Sequence, residues 1–453
     1  MADTVVVVGA GLAGLSAAWE LQRMGLRVAL LERQARPGGR ARCARLRGFV
    51  VEPLSPLLPM RDGELSAWMA ELAVADALLP LRPVVTAQVH GSRVAEVDAR
   101  GLLGLAKIRG VRAHQALRLV RLPRLMQRYR ERLSPGQPER GADLDDRSIA
   151  DFGRLYFGES VLARLLEPFV GSASLADADE ASRVLLLRRW SSHFGVRPGL
   201  PRAPLSELCE AAAERLPLLA GAEVQNLRPR SDGIDGIDVT YTREGRERSI
   251  EAGAVVLALP APEAAALSGP LLCRGEHDVL EGVRYAPAVS LALAVVRSPS
   301  GHPREIRVPR AEGSSLVSVL QEPGLPGGRV PDGYGSVTLR ATPAFGARAL
   351  TLPDDAVEKE LLDAFERFEP QARGRVEFAR VLRLERGWPR FDVGHYRQLA
   401  TLASVEASRL AEGSRLVVAG DYRMDPSWEG ALASGRRAAR SVAHGMGLLA
   451  GKS

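Results

Sequence analysis

The chain opens on an unbroken β-branched run, Thr4–Val8 (TVVVV), with none of the polar alternation of a half-wet strand. That predicts a strand buried on both faces of a parallel sheet. Apolar residues at helical spacing follow over 15–24, Gly25 ends the helix, and Arg27–Glu32 (RVALLE) predicts a second buried strand closed by an acid. Further on, 62–79 and 102–133 carry helical spacing, whereas 283–296, 314–320 and 334–341 read as strands between Gly/Pro-rich turns. Helices gathered in one segment and strands in another predict an α+β unit. The Gly/Pro clusters at 298–303 and 323–333 predict surface loops, and 134–146 a polar connection. Near the end, an apolar run at 416–420 leads into GDYRMDPSWEGALASG: an acid at a strand end, a proline break and a helix start packed with small residues.

The first three elements enclose a motif. Gly9, Gly11 and Gly14 stand in GxGxxG spacing between strand and helix, and Glu32 lies 18 residues after Gly14. In this order each residue has a task. Gly9 allows the tight turn, Gly11 lets backbone approach a pyrophosphate, and Gly14 lets helix pack on strand. Leu12 and Ala13 lie in the turn that leads to the helix whose free N–H groups meet the anion, and Glu32 is set to accept from ribose hydroxyls.

After Glu32 come Arg33, Gln34, Ala35, Arg36, Pro37, Gly38, Gly39 and Arg40, the pattern E-x3-R-x-G-G-R. It resembles the flavin-dependent amine oxidase superfamily, which includes protoporphyrinogen oxidase and the isoprenoid desaturases. The resemblance continues through GAEVQNLRP from Gly221, the strand from Ala252 ending in ALPAPEAAAL, WPRFDVGHY from Trp388, and the GDY…EGALASG ending. It implies bound FAD: Gly38, Gly39 and Arg40 beside the diphosphate, Val224 at the adenine, and Gly420 and Asp421 at the ribityl chain. The helix starting near Trp428 would then aim its positive end, with the N–H groups of Gly430 and Ala431, at the flavin, with Ser427 as N-cap. Ala431, Gly435, Ala438 and Val442 form a small-residue stripe for close packing.

Departures narrow the reading. Where the family carries a glycine two residues after the acid of GFVVEPLSP, this chain has Leu54, and PGLPRAPLSEL from Pro198 stands where members often carry a glycine pair. Amine oxidases of the superfamily usually hold a water with a lysine in the strand matching YAPAVSLALAV, yet no lysine lies between Lys107 and Lys359. Their aromatic cage is also out of register, since Ser427 occupies its position and Trp428 comes one residue late. By contrast, VRYAPAVSLALAV and SIADFGRLYFGESVLARLLEPFVGS resemble the corresponding segments of protoporphyrinogen oxidases.

The resemblance implies a Rossmann-type α/β FAD-binding domain, discontinuous over 1–60, 205–265 and 396–453. An inserted α+β substrate domain covers 61–204 and 266–395, as the length of 453 residues allows. The expected activity is FAD-dependent dehydrogenation of a large lipophilic or tetrapyrrole (porphyrinogen-type) substrate, with O2 or a quinone as electron acceptor. Isoprenoid desaturation, amine oxidation, and a non-catalytic lipid-binding role on the same fold are the alternatives. No catalytic side chain is singled out. His395 and Arg390 read as packed or surface groups rather than site residues.

Composition changes this little. The formal charge is +7, but with three lysines among 61 basic residues, 61 − 3 = 58 are arginines, a bias that reads as coding preference rather than a nucleic-acid surface. Cys43, Cys209 and Cys273 are widely spaced, which points to a reducing, cytoplasmic setting without disulfide or metal site. Neither a leader nor a membrane span is expected. The segment 107–133 carries nine Lys/Arg residues and apolar Leu117, Val120, Leu122, Leu125, Met126, Tyr129 and Leu133. It reads as a helix bent at Pro123, either a solvated face over a core or a peripheral membrane contact.

Overall fold

The computed structural model describes residues 4–73, 81–98, 101–230, 235–298, 300–326 and 328–447. A five-stranded, wholly parallel sheet runs in the order Leu218–Ala220, Arg27–Glu32, Thr4–Val8, Ala254–Leu257 and Leu416–Val418. Its central strand is sealed on both sides, as its unbroken apolar run requires. On one face lie the helices Leu12–Arg23 and Trp428–Gly445, drawn from opposite ends of the chain. Their backbones touch at Gly435, where an added Cβ would lie 2.1 Å from the carbonyl oxygen of Ala13. On the other face an antiparallel sheet of Glu223–Pro229, Ile237–Arg243 and Arg246–Ala252 closes the layer.

A second, seven-stranded sheet runs Val376–Pro389, Tyr285–Val296, Tyr334–Ala341, Leu316–Pro323, Arg304–Arg307, Val85–His90, Arg93–Glu96. One face packs Leu291, Val319, Val337 and Leu339 on Val357, Leu361 and Phe365 of the helix Asp354–Glu366. The opposite face is unusually polar for its burial, carrying Ser290, Glu305, Ser318, Glu322 and Arg340. A helical cluster centred on Phe152, Phe157, Leu166 and Leu187 stands beside it. The architecture is that of a Rossmann-type FAD-binding fold with an inserted α+β unit.

Several elements differ from expectation. The first helix begins at Leu12, because the turn at Gly11 already delivers the chain in helical register. The expected helix over 62–79 is Glu64–Glu71, and 74–80 lie outside the described residues. The segment 102–133 is several short pieces, Leu102–Ala106, Ala113–Ala116, the 3-10 turn Leu117–Val120 and Arg121–Arg128. Pro123 sits in the first turn of the last piece, directly after the 3-10 turn, where its missing N–H costs little. Leu122, Leu125, Tyr129 and Leu133 are buried, whereas Leu117 and Val120 are exposed. The supposed loop 134–146 contains a 3-10 helix, Pro138–Leu144, followed by buried Asp145. That carboxylate accepts from the N–H groups of Tyr396 (2.8 Å) and Arg397 (3.2 Å), satisfying the start of helix His395–Ala411.

Candidate active site

The glycine motif forms a close-fitting turn. Gly9 has φ of 98°, and an added Cβ would lie 2.6 Å from the carbonyl oxygen of Ala258. A Cβ on Gly14 would come within 1.8 Å of the Gly9 carbonyl oxygen, so strand and helix meet only with glycine there. Gly11 faces open space, with buried Leu12 and Ala13 following it into the helix. Gly38 donates its N–H to Ala10 (2.7 Å), which seats the Gly38-Gly39 turn alongside Gly11. The Glu32 carboxylate accepts from the N–H groups of Ala10 (2.8 Å) and Gln34 (2.9 Å), so it braces both loops, a task the spacing did not reveal. Each oxygen keeps a lone pair for a hydroxyl donor. Arg33 is exposed, and Val224 is half-buried opposite Tyr241.

Asp421, fully buried at the end of the Leu416–Val418 strand, accepts from Arg40 Nη2 (2.7 Å) and its neighbour's N–H at Tyr422 (3.1 Å) through Oδ1. Its Oδ2 is buried without a hydrogen-bond partner among the described residues. Burial raises the Asp421 carboxyl above its usual range, with the Arg40 guanidinium pulling it back. Arg40 also donates to the Gly387 carbonyl (2.7 Å) and lies within 6 Å of the Tyr285 and Trp388 rings. Gly420 lies against the Tyr422 ring, where a Cβ would approach to 2.2 Å.

Ser427 is the N-cap of the last helix: its Oγ accepts from Gly430 N–H (3.0 Å), and its carbonyl from Ala431 N–H (3.1 Å). Both N–H groups expected to face a flavin are therefore engaged within the cap, and what remains for a ligand is the dipole of the helix end. The Trp428 indole donates to the Ser55 carbonyl (2.9 Å) and meets Trp388 edge to face at 4.7 Å. Beside Gly430 these two rings wall a cavity of about 510 Å³, continued by apolar Leu58, Leu165, Phe169 and Trp190.

Charged groups share that wall. Arg189 meets Asp425 (3.3 Å) and, with a further N–H, the Pro426 carbonyl. Burial beside Arg189 lowers the His193 imidazole to about 4, leaving it neutral, while its Nδ1 lies 3.0 Å from the Arg189 carbonyl oxygen. Sequence reasoning missed both His193 and the Arg189–Asp425 pair, which no spacing signals across 236 positions. His395 is buried on the Tyr422 carbonyl (2.8 Å) and Arg390 pairs with Glu180 and Asp392, so neither is in the site. Leu54, in the place of the family glycine, is buried in the core. The three cysteines are free, and no cluster that would hold a metal occurs among the described residues.

An open approach over Gly11 beside a helix N-terminus suits a diphosphate, and the unpartnered Asp421 oxygen suits a hydroxyl-bearing chain. The residues present fit FAD. Fold and cradle together define a dinucleotide-binding protein. More particularly, the chain belongs to the flavin containing amine oxidoreductase family, whose model matches residues 12–443. It is an FAD-dependent oxidoreductase of that family.

Protoporphyrinogen oxidase 2 of Arabidopsis thaliana is 25% identical over 179 residues, 39% of this chain and 34% of that protein. Phytoene dehydrogenase of Streptomyces griseus is 50% identical over 60 residues, 13% of this chain and 12% of that protein. The alignments thus span well under half the length of these curated relatives. Putrescine oxidase bound to putrescine shares the fold, with a TM-score of 0.76 over 98% of this chain and 99% of that chain at 16% identity.

Proposed function

We propose that the protein dehydrogenates a large apolar or porphyrinogen-type substrate, with O2 or a quinone as the final electron acceptor. The observation that carries this reading is the cavity of about 510 Å³ walled by Trp388 and Trp428 at the start of the last helix. It has the size and apolar lining of a site for a bulky lipophilic molecule. FAD, when bound, supplies the two-electron acceptor. Gly9, Gly11, Gly14, Glu32, Arg33, Gly38, Gly39, Arg40, Val224, Gly420 and Asp421 would hold it in a discontinuous domain over 1–60, 205–265 and 396–453. The residues 61–204 and 266–395 would receive the substrate.

The chain's own groups orient the substrate and keep water out. Trp388 and Trp428 offer a rigid apolar wall, and the cationic rim residues Arg61 and Arg197 suit an acidic edge of the substrate. Ser290 is buried in the strand where amine oxidases of the resemblance carry a lysine, which disfavours a simple amine. The similarity to phytoene dehydrogenase supports isoprenoid desaturation as the second reading. The test is anaerobic bleaching of the bound flavin by a panel of porphyrinogens, squalene precursors, carotenes and amines. Bleaching by a porphyrinogen is expected, and bleaching by amines alone overturns the proposal. As a peripheral contact, the exposed Leu117 and Val120 among arginines would meet an anionic membrane, and liposome flotation at moderate salt tests it.

A further inference from the structure

The polar face of the seven-stranded sheet holds a buried cation, Arg340, with donors left unused. Arg340 is 4% exposed, and its Nε and Nη1 have no hydrogen-bond partner among the described residues. The same register row carries Ser290 on one neighbouring strand and Ser318 on the other, both fully buried, both with unpartnered hydroxyls. Nearby acids are committed elsewhere. Arg329 binds Glu52 and Glu322, and Arg307 binds Glu305 (3.1 Å). With half-buried Arg82 beside Glu322, the described residues set Arg82, Arg307, Arg329 and Arg340 against Glu52, Glu305 and Glu322, leaving one positive charge, 4 − 3 = 1. A buried cation without contact costs several kcal/mol unless an anion or strong acceptor meets it.

Arg340 lines a small annex of about 10 Å³, together with Ser55, Ser172 and Trp388, which also line the main cavity. That is room for one atom-sized ligand. Guanidinium only donates, and serine hydroxyls rotate to donate, so this set selects an acceptor carrying negative charge. We propose that the annex is a single-anion site, in which Arg340, Ser55 and Ser172 take one singly charged acceptor atom, a halide or one oxygen of a substrate carboxylate.

The test is crystallography of the flavin-loaded protein in sodium bromide, read by anomalous scattering. One bromide is expected within hydrogen-bond distance of Arg340, absent in Arg340→Met. Water alone at that position in the wild type overturns the proposal. In solution, bromide is expected to raise the thermal midpoint of the wild type and not that of Arg340→Met. Equal rises overturn it. Ser172→Ala, a change that leaves the sheet intact, is expected to weaken bromide about tenfold, a loss of one hydrogen bond to a charged group. Unchanged affinity there contradicts the site as drawn. Displacement of bromide by acetate but not by acetamide identifies a carboxylate oxygen as the natural occupant, and persistence of bromide in acetate identifies a free halide.

Discussion

At the residue scale the site rests on buried charges that balance one another. Arg40 and Asp421 join the two ends of the chain across 381 positions through a 2.7 Å ion pair. Asp421→Asn leaves the guanidinium without its counter-charge, so a loss of about 3 kcal/mol is expected, with weaker flavin retention. Denaturant titration and the ratio of flavin to protein absorbance check this, and wild-type values for both would show the pair to be incidental. His193 gives a pH signature. Its imidazole titrates near 4 in the folded protein and near 6.5 when unfolded, so the unfolded chain binds the extra proton between those values. Stability is therefore unaffected by this group above about pH 6.5 and falls as pH drops toward 4. His193→Asn is expected to remove about one proton's worth of that slope, measured by thermal melts across the interval.

At the element scale two helices carry the assembly. Gly435 allows the last helix to lie against the first, and Gly435→Val forces them apart at Ala13, with an expected cost of about 1–3 kcal/mol or more. Ser427→Ala removes the cap on Gly430 N–H and is expected to cost about 1 kcal/mol without loss of fold, seen as a lowered melting temperature. This level was the most legible in the sequence. Thr4–Val8, Arg27–Glu32 and Tyr334–Ala341 are strands at the bounds their patterns predict, the first two as apolar runs and the third as an alternation of Val337 and Leu339 with polar residues. Less legible was 102–133, whose arginine-rich spacing mimics one helix although turns at Gly110 and the 3-10 piece divide it. The cap at Asp145 could not be read either, since its partners lie about 250 positions away.

At the scale of the whole molecule, the last helix and the polar sheet share a cavity, to which the helix contributes Trp428 and the sheet Trp388. The sequence pointed to Gly9, Gly11, Gly14 and Glu32 by their spacing, and the resemblance added Val224 and the segment 420–431. It was silent on His193, Arg189 and Arg340, whose positions depend on tertiary packing alone. Trp428→Ala is expected to widen the cavity and raise KM more than it lowers kcat, because the ring contributes wall rather than chemistry. An equal fall in kcat and kcat/KM would give the ring a role in the reaction itself.

The most direct test of the central claim is anaerobic photometric titration of the purified protein, incubated with FAD, with a porphyrinogen beside an amine of similar size. The account predicts stoichiometric bleaching of the flavin by the porphyrinogen and none by the amine. Bleaching by the amine alone, or a protein that stays colourless after incubation with FAD, would contradict it.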